Sequence, residues 1–222
     1  MARVSLRLLD RAQVWRHGLP SEVALLTLYD PRRGVPVALL DATDITAWRT
    51  GAVTAIGARH LAPPRRACSV TSARAVATVE EAVTGADIVI EATRLEKPEL
   101  LIEDDWLAPN CLLVAYGWKM AVDPRTVLSA SKVVVDDWAQ CTKGGQLHPM
   151  IERGELTREA LHAEIGAIVA GRADGRVAGD GRIVFWHRGF AVSDIVVGHA
   201  VLAAAEHQRV GGTFTLFDGP DE

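Results

Sequence analysis

The N-terminal part of the chain alternates between apolar and polar positions, as β-strands with one buried face do. Val4, Leu6 and Leu8 share one face of a first predicted strand. A second strand is predicted over residues 22–29 and a third over residues 36–41, with a turn containing Pro and Gly between them. Three neighbouring strands joined by turns predict an antiparallel meander.

A long helix is predicted after this meander. Thr43 or Asp44 is placed to cap its start, and Pro63 and Pro64 end it after Leu61. Apolar residues recur at helical spacing and predict its buried stripe. The predicted stripe consists of Ile45, Trp48, Ala52 and Ile56.

The middle of the chain has a different pattern, with near-continuous apolar runs at residues 86–93, 111–117 and 132–137. Such runs are typical of parallel strands that are buried on both faces. They alternate with helical or loop stretches, as in α/β proteins. Each run ends in small or polar residues, at the carboxyl ends of strands where ligands of such folds bind.

The last third of the chain begins with a predicted helix over residues 157–170. A strand over residues 182–187, a helix over residues 191–208 and a short strand over residues 213–218 follow. The fold class predicted from these patterns is α/β, with an antiparallel part built from both chain ends and a parallel sheet between them.

Composition and charge exclude several classes of function. A net charge of −4 and a pI near 6.0 give no basic surface for nucleic acid. No apolar run approaches the roughly 18 residues of a membrane span, and charges interrupt the N-terminus too often for a signal peptide. Cys68, Cys111 and Cys141 lack zinc spacing, as do the seven histidines. We therefore expect a reduced, cytoplasmic protein without a metal site.

Several segments together resemble the ornithine cyclodeaminase/mu-crystallin family, and the resemblance covers nearly all of the chain. The segments are YDPRRGVPVALLDATDITAWRTGAVTAIGARHLA (29–62), EEAVTGADIVIEATR (80–94) and FWHRGFAVSDIVVGHAVLAAA (185–205). The resemblance implies a split substrate-binding and dimerisation domain, residues 1–62 and 183–222, around a Rossmann-like domain, residues 63–182. It also implies a homodimer, an amino-acid or imino-acid ligand, and NAD(P)(H) as the family's usual cofactor.

The chain departs from the family at the dinucleotide site, because no G-x-G-x-x-G occurs in it. Only 24 positions separate Ala62 from Ala86, whereas a βαβ unit needs about 30 residues or more. The Rossmann-like domain is therefore predicted to be truncated. No cofactor is expected, and NAD(P) remains possible by resemblance only.

Two further departures concern the family's site. Trp118, followed by Lys119, stands where the resemblance places a catalytic aspartate, and an indole does not relay a proton as a carboxylate does. The family's N-terminal helical region, which supplies a substrate-binding arginine, has no counterpart in the match.

Arg49 and Thr50 are candidate substrate-binding residues. Arg49 resembles the family's carboxylate-binding arginine, and a guanidinium suits that bidentate contact. A helix-surface arginine, or one paired with a core carboxylate, is the alternative. Thr50 is either a ligand contact or an ordinary helix residue. Arg188, which leaves a predicted strand beside His187, is a third substrate-binding candidate as an anion-binding group.

His187, Lys119 and Asp194 are the candidate catalytic residues. His187 is a potential acid or base at a strand end, and Lys119 a potential base or imine-forming amine. Asp194 lies at the first turn of the last helix, where a carboxylate also complements the helix dipole. Cys141 and His148, seven positions apart, are a possible nucleophile and base, although nothing in the sequence fixes their geometry.

Three functions remain open on the sequence. One is the binding of an amino or cyclic imino acid with non-redox cyclisation, dehydration or imine chemistry and no conventional NAD(P) site. Another is NAD(P)H-dependent imino-acid reduction or cyclodeamination. The third is a non-catalytic pseudoenzyme or dimerisation module.

Overall fold

The structure is a computed structural model, and it describes residues 18, 23–64 and 73–215. Within these ranges the chain forms seven strands, seven α-helices and a short 3-10 helix, Asp104–Trp106. In chain order the elements are β1 (Leu25–Tyr29), β2 (Pro36–Asp41), α1 (Thr43–Leu61), α2 (Val79–Val83), β3 (Ile88–Glu91), β4 (Leu112–Ala115), α3 (Pro124–Leu128), β5 (Lys132–Val135), α4 (Trp138–Cys141), α5 (His148–Glu152), β6 (Ala163–Glu164), α6 (Ile165–Val169), β7 (Ile183–Trp186) and α7 (Ala191–Gln208). None of the described helices is long and apolar enough to cross a membrane.

The chain divides into two compact units. The split unit comprises residues 1–49 and 191–222, and the sheet unit comprises residues 50–190. One boundary lies inside α1, and the other lies directly before α7. The sequence places its boundaries elsewhere, after residues 62 and 182. The second of these differs because β7 belongs to the parallel sheet of the sheet unit.

The split unit contains the predicted hairpin. β1 and β2 pair antiparallel, and Leu26 and Leu28 on the inner face of β1 are fully buried. α7 packs on this face through Gly198, where an added Cβ would lie 2.3 Å from Leu26 Cδ2. The predicted strand containing Val4, Leu6 and Leu8 lies outside the described residues. Residues 213–215 form no strand, and the rest of the predicted last strand is not described.

The bounds of α1 agree with the sequence, but its predicted buried stripe is wrong. Trp48 is 74% exposed, and Ala52 and Ile56 are also exposed. Ile45 is buried as predicted, and the remaining buried positions recur every four residues at Val53, Gly57 and Leu61. The helix carries apolar residues on several sides, so spacing alone did not identify the side that packs.

The sheet unit contains five strands in the order β3-β4-β7-β5-β6, all parallel. All residues of β4 are buried, as its continuous apolar run predicts. All residues of β7 are buried as well, although the domain boundary predicted from the sequence assigns this strand to the other domain. α1 packs against β7 at Gly57. A Cβ on this residue would lie only 2.6 Å from the Phe185 ring. The α/β class and the parallel sheet are confirmed.

The helix predicted over residues 157–170 is wrong in its first half. His162 N donates to Val133 O at 2.9 Å, and Ala163 and Glu164 pair with Val134 and Val135 as strand β6. The chain is therefore extended there, and only α6 is helical. The pairing with β5 is a long-range contact that local spacing does not reveal.

β3 forms one edge of the described sheet. Between α1 and β3 the described residues contain only the five-residue helix α2. The outward side chains Ile88 and Ile90 of β3 are 40% and 52% exposed. This is the apolar surface that loss of a preceding βαβ unit is expected to leave.

Candidate functional site

Arg49 and Asp194 form an ion pair within the split unit. Arg49 Nε donates to Asp194 Oδ1 at 3.1 Å, and the two side chains are 15% and 8% exposed. Asp194 lies in the first turn of α7, and Arg49 lies on α1, 145 positions earlier in the chain. No described residue bonds the terminal Nη atoms of Arg49. Asp194 thus holds the guanidinium from its Nε side and leaves its terminal face for another acceptor.

Glu91 organises one part of the carboxyl edge of the parallel sheet. Its buried carboxylate accepts from Thr93 N at 2.8 Å, from Gly117 N at 3.2 Å, and from the Thr93 hydroxyl and Gln146 Nε2. A Cβ on Gly117 would lie 2.6 Å from both Glu91 Oε2 and Gln146 Nε2. The absence of a side chain at residue 117 therefore lets the ends of β3 and β4 share one carboxylate.

Asp136 is a second buried carboxylate at this edge, directly after β5. It accepts from Asp137 N at 2.8 Å and from Gly189 N, and its Oδ2 lies 3.7 Å from His187 Nε2. Burial raises the pKa of Asp136 above its usual value, although the backbone N–H groups oppose that shift. The His187 ring is fully buried and lies edge-on to Tyr116, with ring centroids 4.7 Å apart.

Cys141 and His148 do not contact each other as a nucleophile and base would. Cys141 Sγ lies 3.8 Å from Asp136 Oδ1, whereas His148 Nε2 bonds Thr142 O at 3.1 Å. Burial, with Asp136 beside the thiol, raises the pKa of Cys141. A neutral buried thiol is a poor nucleophile, so this group does not support covalent catalysis.

Trp118 and Arg188 meet at the surface of the sheet unit. Arg188 Cζ lies 4.8 Å from the centre of the Trp118 ring, and Trp118 is 57% exposed. Lys119 is partly exposed and has no ion-pair partner among the described residues. Thr50 contributes its carbonyl, which accepts from the Tyr116 hydroxyl at 3.0 Å.

The structure therefore separates the candidate residues of the sequence into two groups. Arg49 and Asp194 touch each other in the split unit, whereas the other four candidates belong to the sheet unit. Those four are Thr50, Lys119, His187 and Arg188.

Sequence reasoning missed three polar residues of the carboxyl edge, namely Glu91, Asp136 and Gln146. The first two had a usable signal, because each is a carboxylate at the end of an apolar strand run. Gln146 had none, since it lies in a loop and reaches Glu91 only through the tertiary fold.

The described residues do not fit a dinucleotide in the usual way. A pyrophosphate needs free backbone N–H groups in a glycine-rich turn at a helix N-terminus. Here the Gly117 N–H donates to Glu91, and a buried carboxylate at this edge disfavours phosphate. The described sheet also begins at β3, without a preceding strand and glycine-rich turn.

Three relatives illustrate what the sequence is similar to. The chain is 28% identical over 242 residues to N-((2S)-2-amino-2-carboxyethyl)-L-glutamate dehydrogenase of Staphylococcus aureus, covering 87% of this chain and 71% of the relative. It is 27% identical to alanine dehydrogenase of Archaeoglobus fulgidus, over 90% of this chain and 76% of the relative. The ketimine reductase mu-crystallin of Rattus norvegicus is 27% identical, over 83% and 70%.

Two solved structures share the fold. An archaeal alanine dehydrogenase dimer with bound NAD matches with a TM-score of 0.82 and 23% identity, covering 97% of this chain and 89% of that one. The Thermococcus litoralis Delta(1)-pyrroline-2-carboxylate reductase, solved with NADH and L-proline, matches with a TM-score of 0.77 and 24% identity, covering 91% and 77%.

The match to the family has a break where the sequence predicts a missing segment. The family's sequence model matches residues 11–70 and 65–209, so the two parts meet at residues 65–70. The alignment with the Staphylococcus aureus relative is longer than the 222 residues of this chain, so that relative contains residues without a counterpart here. With most of its length matched, the chain belongs to the ornithine cyclodeaminase/mu-crystallin family.

Proposed function

We propose that the protein binds an amino acid or a cyclic imino acid through the ligand's carboxylate, with Arg49 as the binding residue. The observation that carries this proposal is the geometry of the Arg49–Asp194 pair. Asp194 takes only Nε, so the two Nη groups can donate together to a carboxylate, the fork geometry that guanidinium groups favour. Asp194 then positions Arg49 in addition to complementing the α7 dipole.

For the reaction, the relatives support NAD(P)H-dependent reduction or dehydrogenation more than nicotinamide-free chemistry. Their names denote dehydrogenases and a ketimine reductase. The described residues at the carboxyl edge of the sheet unit count against this reaction, because they include no glycine-rich turn that would hold a pyrophosphate. We rank the redox reaction first among reactions and derive no step through a nicotinamide. Non-redox imine chemistry and a purely binding role remain the alternatives.

We further propose that Thr50, Lys119, His187 and Arg188 contribute to ligand binding or proton transfer from the sheet unit. The His187 side chain is fully buried, so we do not expect it to contact a ligand directly. It would act through its neighbours Asp136 or Tyr116. A homodimer is proposed as the assembly.

A thermal-shift screen tests the Arg49 proposal. L-Proline, L-alanine, L-ornithine, NADH and NADPH are added separately to the purified protein and to three variants. Arg49→Ala removes the guanidinium, Arg49→Lys keeps the charge without the fork, and Arg59→Ala removes an exposed arginine on the same helix as a control. A ligand at about 100 times its Kd adds about 2.7 kcal/mol to stability, which is readily measured as a higher midpoint.

We expect an amino acid to raise the midpoint of the unmodified protein and of Arg59→Ala. The rise should vanish in Arg49→Ala and shrink in Arg49→Lys. An equal rise in Arg49→Ala contradicts the proposal. A rise with NADH or NADPH selects the redox reaction and contradicts the sequence-based expectation that no cofactor is bound.

A further inference from the structure

The chain passes from β7 to α7 through a short connection that one buried carboxylate holds. His187 N still belongs to the sheet, because it donates to Ala115 O at 3.0 Å. The next two backbone N–H groups, those of Arg188 and Gly189, are both directed at the carboxylate of Asp136. The bonding of this connection therefore passes from the sheet to a single side chain.

Gly189 is the residue at which the connection turns. Its φ is +95°, a conformation that residues with a side chain rarely adopt. Consecutive N–H groups that converge on one anion form a backbone nest, and a carboxylate is a suitable anion for it. Without the anion, Gly189 would lose a charge-assisted hydrogen bond, and a glycine has many other conformations to adopt. The charge on Asp136 therefore decides whether this turn is fixed.

The groups around Asp136 leave its charge sensitive to protons. His187 Nε2 at the end of β7 lies 3.7 Å from Oδ2, and it is the one basic side chain that the described residues bring within ion-pair distance. From α4, Cys141 Sγ lies 3.8 Å from Oδ1, and burial raises the pKa of this thiol, so it stays neutral. Asp137 donates its backbone N–H to Oδ1 at 2.8 Å.

We propose that Asp136, Arg188 and Gly189 form a proton-operated latch, which we name the carboxylate latch. The ionised carboxylate fixes the turn at Gly189. A proton taken from solvent converts one carboxylate oxygen into a hydroxyl donor, which leaves fewer acceptor sites for the backbone N–H groups. The connection that leads to α7 is then free to move. The latch uses neither Arg49 nor a ligand, so it is independent of the proposed function.

The pH range of the latch follows from the burial of Asp136. Burial raises the pKa of this carboxyl above its ordinary value of 3.8, so we expect proton uptake while the protein is still folded. The stability that this group contributes is present below the ordinary value and is lost as pH rises through the folded pKa. Proton uptake by Asp136 should therefore stabilise the fold as a whole while it loosens the turn at Gly189. General acid unfolding would lower both, so the two effects are distinguishable.

NMR spectroscopy of the whole, isotope-labelled chain tests the latch between about pH 8 and about pH 4. The carboxyl carbon of Asp136 reports its protonation, and the amide proton of Gly189 reports its hydrogen bond. Both signals should change with the same midpoint, above 3.8. Protection of the Gly189 N–H against hydrogen exchange, corrected for the intrinsic rate at each pH, should fall about tenfold or more across that midpoint.

Three variants separate Asp136 from its neighbours. Asp136→Asn imitates the protonated carboxyl, so the Gly189 signal should no longer depend on pH. Asp123→Asn is the matched control, because Asp123 is also a buried carboxylate of the sheet unit and accepts from Arg125 N at 2.8 Å. It should leave the Gly189 titration unchanged. His187→Gln removes the neighbouring titratable ring, and the Gly189 titration should persist with a shifted midpoint.

Three results overturn the carboxylate latch. The first is a Gly189 amide whose shift and protection stay constant while the carboxyl carbon of Asp136 titrates. The second is a carboxyl that titrates only at or below its ordinary value. The third is a Gly189 titration that disappears in His187→Gln and persists in Asp136→Asn, because the imidazole would then be the controlling group. The first two results come from the unmodified protein, so they remain decisive if a variant does not fold.

Discussion

Arg49 makes a structural ion pair and still has donor groups that a ligand could use. Its Nε is bonded to a buried carboxylate from α7, while its terminal Nη groups have no described partner. The sequence offered two interpretations, a ligand-binding arginine or one paired with a core carboxylate. The structure combines them, because Asp194 occupies only one donor and so fixes the orientation of the other donors.

We predict that Asp194→Ala lowers the free energy of unfolding by about 2 to 3 kcal/mol, because it leaves Arg49 without its buried counter-charge. Asp194→Asn should cost less, since an amide oxygen can still accept from Nε. Urea denaturation measures both variants.

Asp44→Ala provides the matched control for this prediction. Asp44 is also acidic and in the first turn of a helix, α1, but it is exposed. Its loss should cost only the dipole interaction, about 0.3 to 1 kcal/mol. Equal losses for Asp194→Ala and Asp44→Ala would show that Asp194 serves only the helix dipole.

At the scale of elements, α1 shows how glycines decide which side of a helix packs. Gly57 faces the sheet and touches the fully buried Phe185 ring, whereas nothing lies within 4 Å of a Cβ on Gly51. Both glycines are helical and only six positions apart. Comparing alanine substitutions at the two positions therefore separates the effect of packing from the effect of helix propensity.

We predict that Gly51→Ala and Gly57→Ala change stability in opposite directions. Gly51→Ala should raise the free energy of unfolding by about 0.5 to 1 kcal/mol through better helix propensity. Gly57→Ala should lower it by about 1 to 3 kcal/mol, because the added methyl group would overlap the fully buried Phe185 ring. Chemical denaturation of the two variants decides this, and stabilisation by both would mean that α1 does not press on β7.

The whole molecule exposes apolar side chains in both units. On the outer face of the hairpin, Leu25, Val37 and Leu39 are each about half exposed. This face adjoins a groove of about 890 Å³ lined also by residues from the end of α7 and beyond. The sheet unit exposes Ile88 and Ile90 at its edge. Surfaces of this kind mark sites of association.

We predict that the hairpin face, rather than the sheet edge, joins two copies of the chain. The double variant Val37→Lys/Leu39→Lys should convert a dimer into a monomer, because two charges would be buried in an apolar contact. Sedimentation velocity measures the change.

Ile88→Lys/Ile90→Lys is the matched control for the dimer and should leave it intact. Dissociation by this control alone would place the contact at the open edge of the parallel sheet. A protein that is monomeric before any substitution contradicts the homodimer proposal itself.

Local sequence determined much of this protein. Continuous apolar runs specified β3, β4 and β5, turn residues specified the hairpin, and prolines ended α1, because these signals act over a few neighbouring residues. The lack of a glycine-rich turn and the short distance from Ala62 to Ala86 are likewise readable without a structure.

Only the tertiary structure decided which faces pack and which polar groups meet. The position of β7 between β4 and β5, the extended β6, and the side of α1 that is buried all depend on contacts between distant segments. The same is true of the site, since Arg49 meets Asp194 across 145 positions and Gln146 meets Glu91 across 55. The spacing of apolar residues shows which face of a helix or strand is apolar, but not which other segment covers that face. These contacts therefore follow from the packing of the whole chain.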